Sequence, residues 1–178
     1  MSRFFGPIRQ VGHVVRDAKA AMQYWTDTLG VGPFFVMPEI ELTGFRYRGH
    51  QSPSPVCTLC FGQAGDLQIE LIQQHNDAPS AYREFLSAGR SGAQHLSTWF
   101  SDPAVYDVTR QRALSKGLTL VHESITGPGR FCYFETGTPD APLLELSEAT
   151  HPDLGGFADM VADASRDWDG SDPIRYLG

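Results

Sequence analysis

The chain has 178 residues, a net charge of −7, 41% hydrophobic and 20% charged residues, which is enough apolar material for one domain or two small fused modules. The acidic balance and the lack of a Lys/Arg run exclude a nucleic-acid footprint, and no apolar stretch approaches the roughly 20 residues that span a bilayer. The opening Met-Ser-Arg-Phe-Phe-Gly-Pro has no long apolar run or cleavage site, and three cysteines cannot all pair; both point to a cytoplasmic protein with reduced thiols.

Residues 8–15 alternate as a strand does. Asp17 is the expected N-cap of a helix through Leu29, because Ala18, Ala21, Met22, Trp25 and Leu29 recur at helical spacing and Gly30 follows as a stop. Phe34–Met37, Gly44–Arg48, Val56–Phe61 and Leu67–Ile72 read as strands between Gly, Pro and Ser turns. Ser80–Leu86 reads as a linking helix. A strand at His95–Phe100 comes next, then a helix from Pro103 to about Lys116 with Gly117 as its stop. Strands are expected at Leu118–Glu123, Phe131–Glu135 and Leu143–Leu146, with turns at Gly127–Gly129 and Gly137–Asp140. Leu154–Trp168 can form a helix with Phe157, Val161 and Trp168 on one side, expected to pack outside the core.

The order repeats. Ile8–Asp17 and Ala93–Asp102 both read as a short strand ending at an acidic helix start, with Gln10 seven residues before Asp17 and His95 seven before Asp102. Leu67–Leu71 and Pro142–Leu146 match in turn, with Glu70 and Glu145 at equivalent places. The expected organisation is a first βαβββ module over 7–75, a linker helix over 76–92, a second module over 93–148 and a helical extension over 149–178. The class is α+β. Glu70 and Glu145 each lie inside an apolar strand, where a buried carboxylate is costly unless a cation or good donors compensate. One metal ion shared by Gln10, Glu70, His95 and Glu145 would relieve all four groups at once.

The duplicated plan with these four positions resembles the vicinal oxygen chelate superfamily, which includes glyoxalase I, methylmalonyl-CoA epimerase, extradiol dioxygenases and fosfomycin and bleomycin resistance proteins. Val11–Asp17, Thr28–Pro33 and Ile69–Gln73 look like the glyoxalase/epimerase branch. The resemblance implies two modules curled into an incomplete barrel around a central cavity. It implies metal ligands on the first and last strand of each module, here Gln10, Glu70, His95 and Glu145. The set is similar to that of glyoxalase I. Gln10 stands where a dioxygenase has its first histidine, which disfavours oxygen chemistry. Val14 stands where glyoxalase I has its glutathione-gripping arginine, and no basic cluster marks a coenzyme A site.

Three oxygens and one imidazole suit a divalent ion such as Zn, Ni, Co, Mn or Mg. With such an ion as Lewis acid, Glu145 and Glu70 are the candidate catalytic bases, at symmetric positions able to serve opposite faces of a substrate. The expected activity is that of an isomerase, epimerase or lyase moving a proton beside a carbonyl of a small-molecule substrate, in a homodimer without nucleic-acid or membrane partners. The rivals are a binding or resistance protein that sequesters a small molecule in the same cavity and a metal-free acid–base relative. His13 differs from Gln10 in strand parity and should face away. His50, His75, His122 and His151 lie near turns or strand ends and are assigned no role. Cys57 and Cys60 spell CxxC, but on a strand they point to opposite faces. Phe35, Phe45, Tyr47, Trp99, Phe131 and Tyr133 can line an apolar pocket or simply build core.

Overall fold

The computed structural model describes residues 2–125, 129–138 and 140–177. Residues 127 and 128 of one expected turn, and Pro139 of the other, lie outside them.

The first half contains β1 (Gln10–Val14), α1 (Ala18–Gln23), β2 (Phe34–Glu41), a short hairpin of β3 (Phe45–Tyr47) and β4 (His50–Gln51), β5 (Val56–Ala64) and β6 (Leu67–Gln74). Next, α2 (Ala81–Ser87) leads to β7 (Gly92–Trp99), α3 (Pro103–Ser115), β8 (Thr119–Ser124), β9 (Phe131–Glu135) and β10 (Leu143–Ser147), followed by α4 (Phe157–Ser165) and β11 (Ile174–Tyr176). The matched acidic residues are the caps they were expected to be. The Asp17 carboxylate accepts from the Ala20 N–H at 2.9 Å, and that of Asp102 accepts from the Ala104 N–H at 2.8 Å. The first helix widens into one π turn over Tyr24–Thr28 instead of staying α-helical to Leu29.

The strands form one mixed sheet in the order β11-β2-β5-β6-β1-β7-β10-β9-β8-β3-β4, which does not close. The halves join where β1 runs antiparallel to β7, with Gly12 opposite His95. One face, here called outer, is covered by helices. Ala18 and Met22 pack on Phe34, Val36, Cys60 and Leu71, while Tyr106 and Ala113 pack on Cys132, Phe134, Leu144 and Leu146. The β3–β4 hairpin comes from the first half but pairs with β8 of the second, Phe45 opposite Ser124. It brings Phe45 into the apolar cluster of the inner face, with Val14, Ile72, Tyr82 and Tyr133.

The tail helix lies on the inner face of β2 and β5, in a cluster of its own where a fully buried Val161 meets Phe35 and Phe61. The Phe157 ring meets that of Phe61 edge-on at 5.1 Å. The reason is the sheet itself. The outer side of β2 and β5 is already taken by α1, so the apolar side of the tail helix goes to the unpartnered inner side. β11 then adds to the β2 edge in parallel. Among the described residues no helix is long and apolar enough to cross a membrane.

Candidate metal centre

Strand register builds the site. Side chains alternate between faces, so Gln10, Gly12 and Val14 of β1 share the inner face. β6 runs parallel beside β1, with Gln68 at the level of Gln10 and Glu70 at the level of Gly12. On the other side, β7 sets His95 against Gly12 and Ser97 against Gln10. β10 then places Leu143 at the level of His95 and Glu145 at that of Ser97. Three of the four expected ligands thereby converge. Glu70 Oε2 is 3.4 Å from His95 Nε2, and Glu145 Oε2 is 3.5 Å from the same nitrogen. One ligand atom from each residue lies within 4.8 Å of the others, and all three residues are buried. All three residues come from the same chain. Gln10 is buried on the same face, one pair further along β1, where its amide N–H donates to Gln68 Oε1 at 2.8 Å.

Gly12 is what makes room. A Cβ there would fall 1.8 Å from His95 Cε1, inside the imidazole ring's own volume. The ring also meets Tyr133 edge-on at 4.7 Å, and the Tyr133 hydroxyl lies 3.3 Å from Nε2. That hydroxyl in turn accepts from the Tyr82 O–H at 3.2 Å.

Burial sets the electrostatics. It pushes the Glu70 carboxyl up to about 8. It pushes Glu145 up to about 7, where nearby His95 acts in the opposite direction. Burial also holds His95 below the ordinary histidine value, opposed by Glu145. Each acid is therefore expensive to ionise unless a cation is supplied. Among the described residues Glu145 Oε2 and Gln68 Nε2 have no hydrogen-bond partner. Both carboxylates lie from His95 Nε2 at the spacing of donors around an ion, since atoms about 2.1 Å from a shared metal lie roughly 3.0–3.5 Å from one another. Two carboxylates, an imidazole and an adjacent amide are donors suited to a divalent cation.

A cleft of about 560 Å³ reaches His95 from the second half, bounded by Ala81, Glu84, Arg90, Gln94, Thr136 and Leu143 among others. Its rim is tied by Arg48, which binds both Glu84 and Glu135.

The remaining expectations sort cleanly. His13 is on the outer face, with its ring edge-on to Trp25 at 5.4 Å. Cys57 and Cys60 fall in different core clusters on opposite faces, each thiol pushed up to about 12 by burial. His50 is exposed, His75 pairs with Thr58, and His151 lies beside Asp153. His122 is the exception. It is buried on the inner face among Phe45, Tyr82, Phe131 and Tyr133, and its Nδ1 accepts from the Ala81 N–H at 3.3 Å. Its placement depends on a register shift in β8 between Leu120 and His122, which alternation alone does not reveal. Of the six candidate aromatics, Phe45, Tyr47, Phe131 and Tyr133 belong to the inner-face cluster, and Phe35 meets Val161 further along the same face.

Residues 9–134 match the model of the Glyoxalase/Bleomycin resistance protein/Dioxygenase superfamily. The chain belongs to that superfamily. Its fold is shared with methylmalonyl-CoA epimerase from Mycobacterium tuberculosis, at 20% identity and a TM-score of 0.54 over 83% of this chain and 90% of that one. A variant of the Streptomyces coelicolor methylmalonyl-CoA epimerase, in complex with 2-nitronate-propionyl-CoA, aligns at 18% identity and a TM-score of 0.58 over 80% and 94%. A hypothetical protein from Bacillus halodurans aligns at 14% identity and a TM-score of 0.55 over 79% and 92%. A comparison with curated proteins gives no match. At these identities the structural likeness establishes the superfamily fold and not a substrate.

Proposed function

We propose that this superfamily member is a metal-dependent isomerase, epimerase or lyase that moves a proton beside the carbonyl of a small molecule. One observation carries the reading: Glu70, His95 and Glu145 come from three strands to one buried point, with the two carboxylates raised by burial. A purely sequestering cavity has no need of two such acids. Gln10 is the fourth donor through its amide oxygen, and the ion is one of Zn, Ni, Co, Mn or Mg. When bound, the ion supplies Lewis acidity that draws developing charge onto the substrate's oxygen.

The chain's own residues do the rest. Glu145 takes the proton from the carbon beside the carbonyl, and Glu70, protonated at the outset and at the equivalent place of the other half, delivers its own proton to the opposite side, leaving Glu145 protonated and Glu70 ionised. The Tyr133 ring and hydroxyl close the site next to His95. The cleft beside α2 admits the substrate, and the inner-face aromatics exclude water.

Metal analysis and proton exchange test the proposal. The purified protein should hold about one divalent ion per chain, removable by a chelator. Methylmalonyl-CoA and simple 2-oxo acids serve as first probes for exchange of the proton beside the carbonyl in deuterated water. Glu145→Gln should keep part of the metal affinity yet lose exchange by about 10²–10⁴-fold. Protein that neither carries nor takes up stoichiometric metal would overturn the reading. Metal binding without exchange on any carbonyl probe would favour the sequestering role.

A further inference from the structure

Gln94 directly precedes His95, so on a regular strand the two side chains would point to opposite faces. β7 is not regular there. Gly12 pairs with His95 and His13 pairs with Ala93, which leaves Gln94 without a residue opposite it. An extra residue of this kind re-aims its neighbours. The Gln94 side chain is buried, and both ends of its amide are engaged. Nε2 donates to the carbonyl of Ala81 in the first turn of α2 at 3.1 Å. Oε1 lies 2.9 Å from His95 Nδ1.

These two contacts fix a proton. A backbone carbonyl only accepts, so the Ala81 contact determines which end of the amide is nitrogen. The end facing His95 is then the oxygen, and His95 Nδ1 must carry hydrogen to donate to it. The lone pair is left on Nε2, the atom facing Glu70, Glu145 and the Tyr133 hydroxyl.

We infer that Gln94 is a positioning residue: anchored by Ala81 at the bulge in β7, it holds His95 in the Nδ1–H tautomer and presents Nε2 as the metal-binding atom. Its consequence for metal rests on the function proposed above; the tautomer itself is a property of the metal-free protein. A hydrogen-bond acceptor behind a ligating histidine fixes ring and tautomer, and losing such a partner typically weakens metal binding about 10–100-fold. The arrangement also ties the ligand to α2, which borders the cleft, so a substrate pressing on that helix acts on the same hydrogen bond.

The test uses wild type, Gln94→Leu and Gln94→Glu. Side-chain ¹⁵N shifts of His95 are read in metal-free protein at a pH where the ring is neutral, and zinc affinity is measured by competition with a chromophoric chelator. Wild type should show a protonated Nδ1 and an unprotonated Nε2. Gln94→Leu should give mixed tautomers and zinc binding about 10–100-fold weaker. Gln94→Glu keeps an acceptor behind Nδ1 but gives up the donor to the Ala81 carbonyl, so it should keep the Nδ1–H tautomer and recover only part of the affinity that Gln94→Leu loses. A wild-type Nε2–H tautomer, or a Gln94→Leu protein unchanged in both readouts, would overturn the inference. Should Gln94→Leu not fold, the wild-type tautomer and the Gln94→Glu affinity decide. Failure of wild type to bind zinc would instead sink the metal reading, and the tautomer measurement would still stand.

Discussion

A methyl group at Gly12 has nowhere to go. In Gly12→Ala the new Cβ would lie 1.8, 2.0 and 2.5 Å from His95 Cε1, Nε2 and Nδ1, where non-bonded carbons prefer about 3.5–4.0 Å. The ring must therefore retreat by at least about 1.5 Å, since the backbone of Gly12 is held in ladders on both sides. Retreat is opposed by the Gln94 hydrogen bond and the Tyr133 ring. Overpacking of this kind costs about 1–3 kcal/mol, which at this chain length lowers the melting temperature by about 2–12 °C. The same displacement takes Nε2 off its 3.4 and 3.5 Å spacings to the two carboxylates. A ligand misplaced by about 1 Å loses on the order of 100-fold in function. Melting curves and zinc titrations of Gly12→Ala, His95→Ala and the double variant measure both effects. The clash is with the ring itself, so deleting the ring should rescue the methyl, with a stabilising coupling of about 0.5–3 kcal/mol in the double variant. Additive single effects, or a Gly12→Ala protein with wild-type melting and zinc affinity, would refute this account of the site.

Metal-free protein should respond to pH in two directions. Glu70 and Glu145 have folded values raised from 4.5 to about 8 and about 7, so their contribution is full below about pH 4.5 and is lost as pH rises through 7 and 8. His122, lowered from 6.5 to about 3, and His95, lowered as well, contribute above pH 6.5 and lose that contribution as pH falls. Melting temperature without metal should peak between these limits and fall toward pH 8.5, while the stabilisation from added zinc grows over the same range; a melting temperature that climbs toward pH 8.5 without metal contradicts the burial of the two acids. The Arg130 guanidinium binds the buried Glu148 through two contacts, at 3.0 and 2.6 Å, beside a backbone N–H at 3.2 Å, so Arg130→Met should cost about 3–5 kcal/mol in denaturant unfolding, largely recovered by adding Glu148→Leu. Cys57, Cys60 and Cys132 are buried with thiols raised to about 12, so a thiol reagent at neutral pH should label them only as the protein unfolds; rapid native labelling would refute that.

The repeat carried most of what could be read without a structure. Element order follows from periodicity and from the paired caps Asp17 and Asp102. The convergence of Glu70, His95 and Glu145 follows from their equivalent places in the two halves, because equivalent strands in joined modules end on one face. What escaped has identifiable causes. The inner-face position of α4 depends on which side of β2 and β5 α1 leaves free, a tertiary choice with no signature in residues 149–178. The pairing of the β3–β4 hairpin with β8 is long-range and rests on only three register pairs. Gln94 and His122 sit next to register shifts, where the two-residue period fails. Parity worked for His13 and for the Cys57–Cys60 pair because their assignments needed only face, not contact.

The two halves also show how a duplicated site becomes asymmetric without losing its register. Gln10 and His95 are equivalent, and so are Gly12 and Ser97, each two residues further along its strand. Because β1 and β7 are antiparallel, each of the two faces the other half's companion: His95 meets Gly12, and Gln10 meets Ser97. The bulky ring is matched by the residue with no side chain, and the slimmer amide by a small hydroxyl. A symmetric pair of histidines would need glycine at both companions, so histidine at position 10 would press on Ser97 as a methyl at Gly12 presses on His95. The identity of the residue at position 10 is thus coupled to position 97. Gln10→His should be accommodated far better with Ser97→Gly than alone, and equal melting temperatures for the single and double variants would show that the two halves do not share space in this way.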